Sequence, residues 1–342
     1  MLLVILGAGA SYDSAPSKHP EESRHTNLQN RPPLASELFS DRPYFGEIMN
    51  KYPQCLPIIS RLRNIPPESS VELQLQRLQS EATRYPERHR QLAAVRYYLQ
   101  EILTVCPAQW LGETQSVSNY STLIDDIRHW KEPEEKVCFV TFNYDKLLDE
   151  ALNRAGYRFT ELSAYVARDL MLIKLHGSVN WAREVATPCS GVGTLSGKAI
   201  ADWVIENFPT LEISQNYTMS GSCPPSNSRT TALVPALAIP VESKLAFECP
   251  AAHVVALKNF LPTVSRMLMI GWRGMESHFL GLLKENLRGQ PRNFVIGRDK
   301  HDAVSIIENL KKRHSVPGIY DIASGGFTDF IRRREIEPLL HR

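Results

Sequence analysis

Four places in the sequence put glycine or polar residues directly behind short apolar runs, and they hold the residue types that group-transfer chemistry needs. Asn143 and Asp145 stand in TFNYD at 141–145, with Thr141 opening the motif. His176 stands in LHGS at 175–178, GAGAS fills 7–11 and GWRG fills 271–274. An imidazole titrates near neutral pH and can take a proton from water or from a hydroxyl. An Asn amide can orient that hydroxyl, and a carboxylate can accept a hydrogen bond from an amide. Glycines behind a first strand let backbone N–H groups approach a diphosphate closely. Each feature also has a plain structural reading: GAG as a tight strand exit, His176 as a buried turn histidine, Asn143 and Asp145 as a helix cap.

The elements that must position these residues read as a sheet. Residues 137–141 (VCFVT) are apolar and rich in β-branched and aromatic side chains, the mark of a buried parallel strand, and a helical pattern resumes at 146–152. Residues 170–175 (LMLIKL) repeat the layout and are apolar except for Lys174. Polar side chains placed where a parallel strand gives way to a helix lie at the carboxyl edge, where open α/β sheets bind their ligands. Residues 2–6 make the first strand, and the core pattern returns at 233–241, 267–270 and 294–296. Helices are expected at 34–39, 120–130, 199–207, 277–287 and 303–312, and the longest helical stretch, 71–103, is split by Pro86. The alternation calls for an α/β fold, a Rossmann-like doubly wound, mostly parallel sheet with helical insertions. One domain is expected over 1–342, with a helical insertion at about 45–130 and a cap-like insertion at about 183–232. The latter holds a Gly/Ser/Thr-rich segment at 187–198 and a Ser/Pro/Asn-rich one at 220–231, on either side of its expected helix. Residues 12–33 are polar and Pro-punctuated, as a lid or a disordered segment would be.

Composition narrows the classes. Apolar content of 43% and charged content of 22% suit a soluble globular protein, and a net charge of +2 offers no electrostatic case for nucleic acid. Arg84, Arg88, His89 and Arg90 are interrupted by Glu81 and Glu87, as on a solvated face. The six cysteines form no CxxC pair, which fits a reducing compartment and argues against a zinc ribbon; no metal is expected. The apolar run at 2–6 is too short for a signal peptide, and no segment approaches ~20 apolar residues. A cytoplasmic protein with no membrane contact is the expectation.

Taken together and in order, GAGAS, TFNYD, LHGS and the late GWRG turn resemble the sirtuin superfamily. The likeness is closer to the sirtuin-like NAD hydrolases of bacterial antiviral defence. These carry GAGAS, then a PPL…ELF element (here Pro32, Pro33 and Leu34 with Glu37, Leu38 and Phe39), TxNYD, KLHGSxNW (174–181) and a downstream Pro…Lys segment (240–244). The resemblance spans most of the chain. It implies NAD as substrate, His176 as base, Asn143 as the group orienting ribose or water, and Asp145 as partner of the nicotinamide carboxamide. It also implies Gly7, Ala8, Gly9, Ala10 and Ser11 around the diphosphate, Thr141 in the binding motif, and Gly271 and Trp272 beside the adenosine. Three features depart from protein deacylases: no GIPDFR-like loop, Phe142 where Gln is usual, and no paired CxxC zinc module. The implied function is an NAD glycohydrolase that depletes NAD on infection. A protein deacylase and a non-catalytic NAD- or ADP-ribose-binding subunit are the alternatives. An enzyme that destroys NAD needs an off state, so homo-oligomerisation, and a partner protein from the same defence system, are expected to control it. Residues 12–33 and 183–231 are the candidate gates.

Overall fold

The first strand, β1 (Leu2–Leu6), is buried at every residue, as a strand flanked on both sides and covered on both faces must be. In the computed structural model the described residues are 1–20, 29–66, 69–167, 169–185, 195, 197–225, 232–239 and 247–340. The other strands among them are β2 (Val137–Thr141), β3 (Leu170–Lys174), β4 (Gly177–Val185), β5 (Ile213–Met219), β6 (Leu233–Leu237), β7 (Arg266–Ile270), β8 (Arg292–Ile296) and β9 (Ile319–Ala323). Six of them form a sheet in the order β3-β2-β1-β7-β8-β9, and every pair is parallel. The chain builds outward from β1 to β3, then restarts on the other side of β1 with β7. This is the Rossmann order, and its switch point lies between β1 and β7. Leu6 is level with Thr141 on one side and with Ile270 on the other, and Thr141 is level with Lys174. The residues that follow these four strand ends therefore share one edge.

The helices, in chain order, are α1 (Ala8–Tyr12), α2 (Pro43–Asn50), α3 (Leu56–Arg63), α4 (Val71–Glu81), α5 (Glu87–Glu113), α6 (Asn119–Trp130), α7 (Leu147–Arg154) and α8 (Gly197–Asn207). They continue with α9 (Ala251–Phe260), α10 (Ser277–Asn286), α11 (Lys300–Glu308), α12 (Gly326–Arg332) and α13 (Glu337–Leu340). Side-chain caps set several starts: Ser70 accepts from Leu73 N–H, Ser118 from Ser121 N–H and Asp299 from Asp302 N–H. Pro86 does separate α4 from α5. The latter runs ten residues beyond the expected 103, through Pro107, because Cys106, Pro107 and Trp110 are buried and packing outweighs propensity.

Two hydrophobic cores result among the described residues. The parallel sheet packs with α6, α7 and α9 to α13. A second core joins Phe45, Ile58, Leu75, Tyr98 and Ile102 of α2 to α5 with Ile205 of α8 and with Val185 and Val234 of β4 and β6. Gln100 Nε2 bridges the two halves of that core by donating to Val179 O at 2.8 Å.

The run expected at 233–241 as a return to the main pattern instead enters a three-stranded antiparallel sheet, β5-β4-β6. A short apolar run specifies burial but neither direction nor partner. The direction is set at Gly177, whose φ of +84° turns the chain straight back after His176. A Cβ there would lie 1.9 Å from Ala236 O, so β4 and β6 can approach only at glycine. The strand β5 was not expected from sequence, since its residues are half-exposed and show no clean alternation.

At the end of α4, Glu81 takes two hydrogen bonds from Arg61 of α3 (3.0 and 2.8 Å) and one from Arg88 Nε of α5 (2.9 Å). Arg61's hydrogen bonds hold the Glu81 carboxyl down, from 4.5 to about 2. A depressed carboxylate stabilises the fold above its unfolded value and loses that contribution as pH falls through the folded one. Glu81→Gln should therefore cost about 1 kcal/mol or less at pH 7, given the solvent around it. Urea denaturation should show the difference shrinking as the pH falls from 4.5 towards 2. A difference independent of pH would disconnect it from the charge.

Candidate active site

At the switch point the turns after β1 and β7 are locked backbone to backbone. Gly7 N–H donates to Ile270 O at 3.0 Å, and Gly9 N–H donates to Gly271 O at 3.1 Å. A Cβ on Gly7 would sit 2.4 Å from Gly271 O, and one on Gly271 would sit 2.1 Å from Ala10 N. Gly271 also has φ +59°. Gly7, Gly9 and Gly271 are thus required by close packing of the two turns, whatever anion binds beside them. Ala10 N–H closes the turn onto Gly7 O at 2.9 Å, and Ala8 lies at the start of α1.

Beside this lock a polar network gathers Ser11, Thr141, Asn143 and Asp145. Thr141 Oγ1 accepts from Asn143 N–H at 3.0 Å and shapes the strand exit. Asn143 Nδ2 donates to Gly7 O and to Ser11 Oγ, both at 2.9 Å. A carbonyl can only accept, so Gly7 O fixes which way the amide faces, and Oδ1 remains as its acceptor. Ser11 Oγ donates its one proton to Asp145 Oδ2 at 2.8 Å. Its contact with Tyr120 OH at 3.1 Å must then be a bond that Tyr120 donates. Asp145 Oδ1 accepts from Leu147 N–H at 2.9 Å, at the mouth of α7. Burial raises the Asp145 carboxyl above the usual carboxylate range, opposed by Lys174 and by the Leu147 and Ser11 donors. Both its oxygens already accept from the protein, so a carboxamide contact would use a remaining lone pair.

His176 sits one strand further out. Leu175 N–H donates to Thr141 O at 3.1 Å, and His176 O accepts from Ala238 N–H at 2.9 Å. The imidazole ring lies 4.9 Å from the Phe142 ring and 5.9 Å from the Tyr144 ring. Phe142 in turn stacks on Trp272 at 5.6 Å with an interplanar angle of 12°. Phe142 is therefore the wall shared by His176 and Trp272. Trp272 is buried, packs edge-on against Phe279 and donates through Nε1 to Glu276. Asn143 and His176 are both buried, keeping 8% and 7% of their surface exposed.

Sequence reasoning missed Tyr120, which no motif marks, and the contact role of Phe142. It noticed Lys174 as the charge in an apolar run but gave it no partner. Both described ends of the 12–33 loop are pinned rather than open. Buried Arg31 donates to Tyr12 O at 2.9 Å and to Lys18 O, and its guanidinium lies over the rings of Tyr12 and Trp110. The segment 240–244 lies outside the described residues. Among the described residues no group of three or more His, Cys, Asp or Glu is placed to hold a metal ion. No helix among them is long and apolar enough to cross a membrane.

The strand order defines the class, a Rossmann-like, doubly wound α/β protein. No family model matches the chain, and no curated protein matches it. Among solved structures it is similar to a mutant Sir2 homologue in complex with 2'-O-acetyl ADP ribose, with a TM-score of 0.42 and 13% identity over 100% of this chain and 93% of that one. It is also similar to a structure titled for the mechanism and regulation of Sir2 enzymes, with a TM-score of 0.36 and 11% identity over 98% of this chain and 93% of that one.

Proposed function

We propose that this chain is an NAD glycohydrolase, cleaving NAD to nicotinamide and ADP-ribose and serving as an antiviral effector that depletes NAD. The observation that carries the reading is the fixed amide of Asn143. Gly7 O and Ser11 Oγ take its two N–H groups, which leaves Oδ1 as an acceptor at the carboxyl edge, one strand from His176. The order of the sequence motifs along that edge supports it.

In this reaction the C1'–N bond breaks and its electron pair leaves with the nicotinamide nitrogen, cancelling the positive charge on the ring. The leaving group needs no general acid. Water then bonds to the oxocarbenium-like C1', and its proton passes to the His176 imidazole. Asn143 Oδ1 holds the water or a ribose hydroxyl by accepting its hydrogen bond. A preorganised acceptor costs no reorganisation when charge develops. Gly7 to Ser11 lie beside the diphosphate, with Thr141 and Asp145 setting the turn that carries Asn143. Homo-oligomerisation and a partner protein of the same defence system would control the rate, through the segments 12–33 and 183–231.

The test is free nicotinamide released from NAD by purified protein, across dilution, with and without an acylated peptide and with and without a chelator. Release without peptide, unchanged by chelator and rising in specific activity with concentration, is expected. Release that needs the peptide would make the protein a deacylase. Tight NAD binding with no release would make it a sensor.

A further inference from the structure

Lys174 is fully buried at the end of β3, level with Thr141, and its side chain spans two elements of the site. Nζ donates to the backbone carbonyl of Asp145 at 2.6 Å and to Asp149 Oδ2 of α7 at 2.8 Å. Asp149, also buried, accepts at its other oxygen from Tyr165 OH at 2.9 Å. Tyr165 is wedged edge-on against Trp181 and stacked on His253, whose Nε2 is bonded to Leu162 O at 2.8 Å. The ammonium is thus held from behind and aimed at one main-chain oxygen of the TFNYD turn.

A buried ion pair is a weak source of stability, because desolvation offsets most of its attraction and apolar replacements of similar volume are often tolerated. What such a replacement cannot supply here is a donor to Asp145 O. That carbonyl is two residues from Asn143 and belongs to the residue whose side chain is bonded to Ser11. We propose that Lys174 and Asp149 are positioning residues. Through the Asp145 carbonyl they fix the turn at 142–146, and with it the direction of the Asn143 amide. The kinetic part of this proposal rests on the NAD-cleaving reading; the structural part does not.

The test uses the full chain carrying Lys174→Met, Asp149→Leu and Tyr165→Phe together, which removes the buried polar groups and leaves Asp145 O without its donor. The melting temperature should stay level or rise. Hydrogen exchange of the amides at 143–147 should quicken by about tenfold or more, with β1 and β7 unchanged. The kcat for nicotinamide release should fall about 10- to 100-fold with KM little altered, as for a misplaced reactive group. If the triple variant does not fold, Lys174→Met with Asp149→Asn keeps an acceptor for Tyr165 and is read in the same way. Unchanged exchange at 143–147 overturns the proposal, as does an unchanged kcat when the wild type is active. A wild type inactive on NAD fails the catalytic reading instead, and the exchange result alone then decides.

Discussion

Asn143→Ala and His176→Ala should each lower the turnover of NAD by at least about 100-fold, the lower end of what a positioned acid–base group contributes. The two losses have different origins. In Asn143→Ala the Oδ1 acceptor disappears, and Gly7 O and Ser11 Oγ lose the donor they share. A modest fall in stability is expected with it, about 1 kcal/mol, since Gly7 O keeps the Ala10 N–H and Ser11 Oγ keeps Tyr120 OH as donors. His176→Ala removes the base and leaves a gap against the rings of Phe142 and Tyr144. Single-turnover release of nicotinamide at saturating NAD, on variants of matched thermal stability, separates loss of chemistry from loss of fold. NAD affinity should change far less than the rate, because both groups act where charge develops. Near-normal turnover in either variant would remove that residue from the mechanism.

The parts of the structure legible in the sequence are those where burial on both faces leaves an unbroken apolar run. The strands β1 and β2 are such runs, as are β3 up to Lys174 and β7 after Arg266, and the polar residues behind them mark one edge of the sheet. The second sheet was hidden for the opposite reason. Residues of β5 are half-exposed, and β6 looks like any buried strand although it runs antiparallel to β4. Side-chain partners are less legible again. Ser11, Asn143 and Asp145 stood out as motif residues, but Tyr120 lies inside an ordinary amphipathic helix, and its hydroxyl reaches Ser11 across a sequence separation of 109. Lys174 was visible as an anomaly while Asp149, its partner, looked like any helix carboxylate. Pairing across such distances leaves no local trace, because only the fold brings the two groups together.

The glycines show the same limit, and they carry the largest stability effect expected. A glycine behind a strand makes room, but the sequence cannot say whether the room is for a ligand or for another stretch of backbone. Here the neighbours are backbone: Ala10 N at 2.1 Å and Gly9 C at 2.4 Å from a Cβ built on Gly271. No rotamer relieves an overlap between a Cβ and main-chain atoms. Gly271 also sits at φ +59°, where a side chain adds roughly 1 kcal/mol of its own. Gly271→Ala should therefore push the β7 turn off the β1 turn and break the Gly9-to-Gly271 hydrogen bond. The expected cost is about 3 kcal/mol or more, a large share of the 5–15 kcal/mol that typically holds a domain together. Gly46→Ala and Gly112→Ala are the matched controls. Both lie within helices with open space where the Cβ would go, so each should stabilise by up to about 1 kcal/mol. Urea midpoints measured without NAD decide the matter. If Gly271→Ala keeps the wild-type midpoint and loses only NAD affinity, the glycine makes room for the diphosphate, and the backbone lock is not what requires it. If the midpoint falls before any ligand is added, the same residue that resembles a nucleotide-binding glycine is first a structural one, and loss of activity in that variant says nothing about NAD contact.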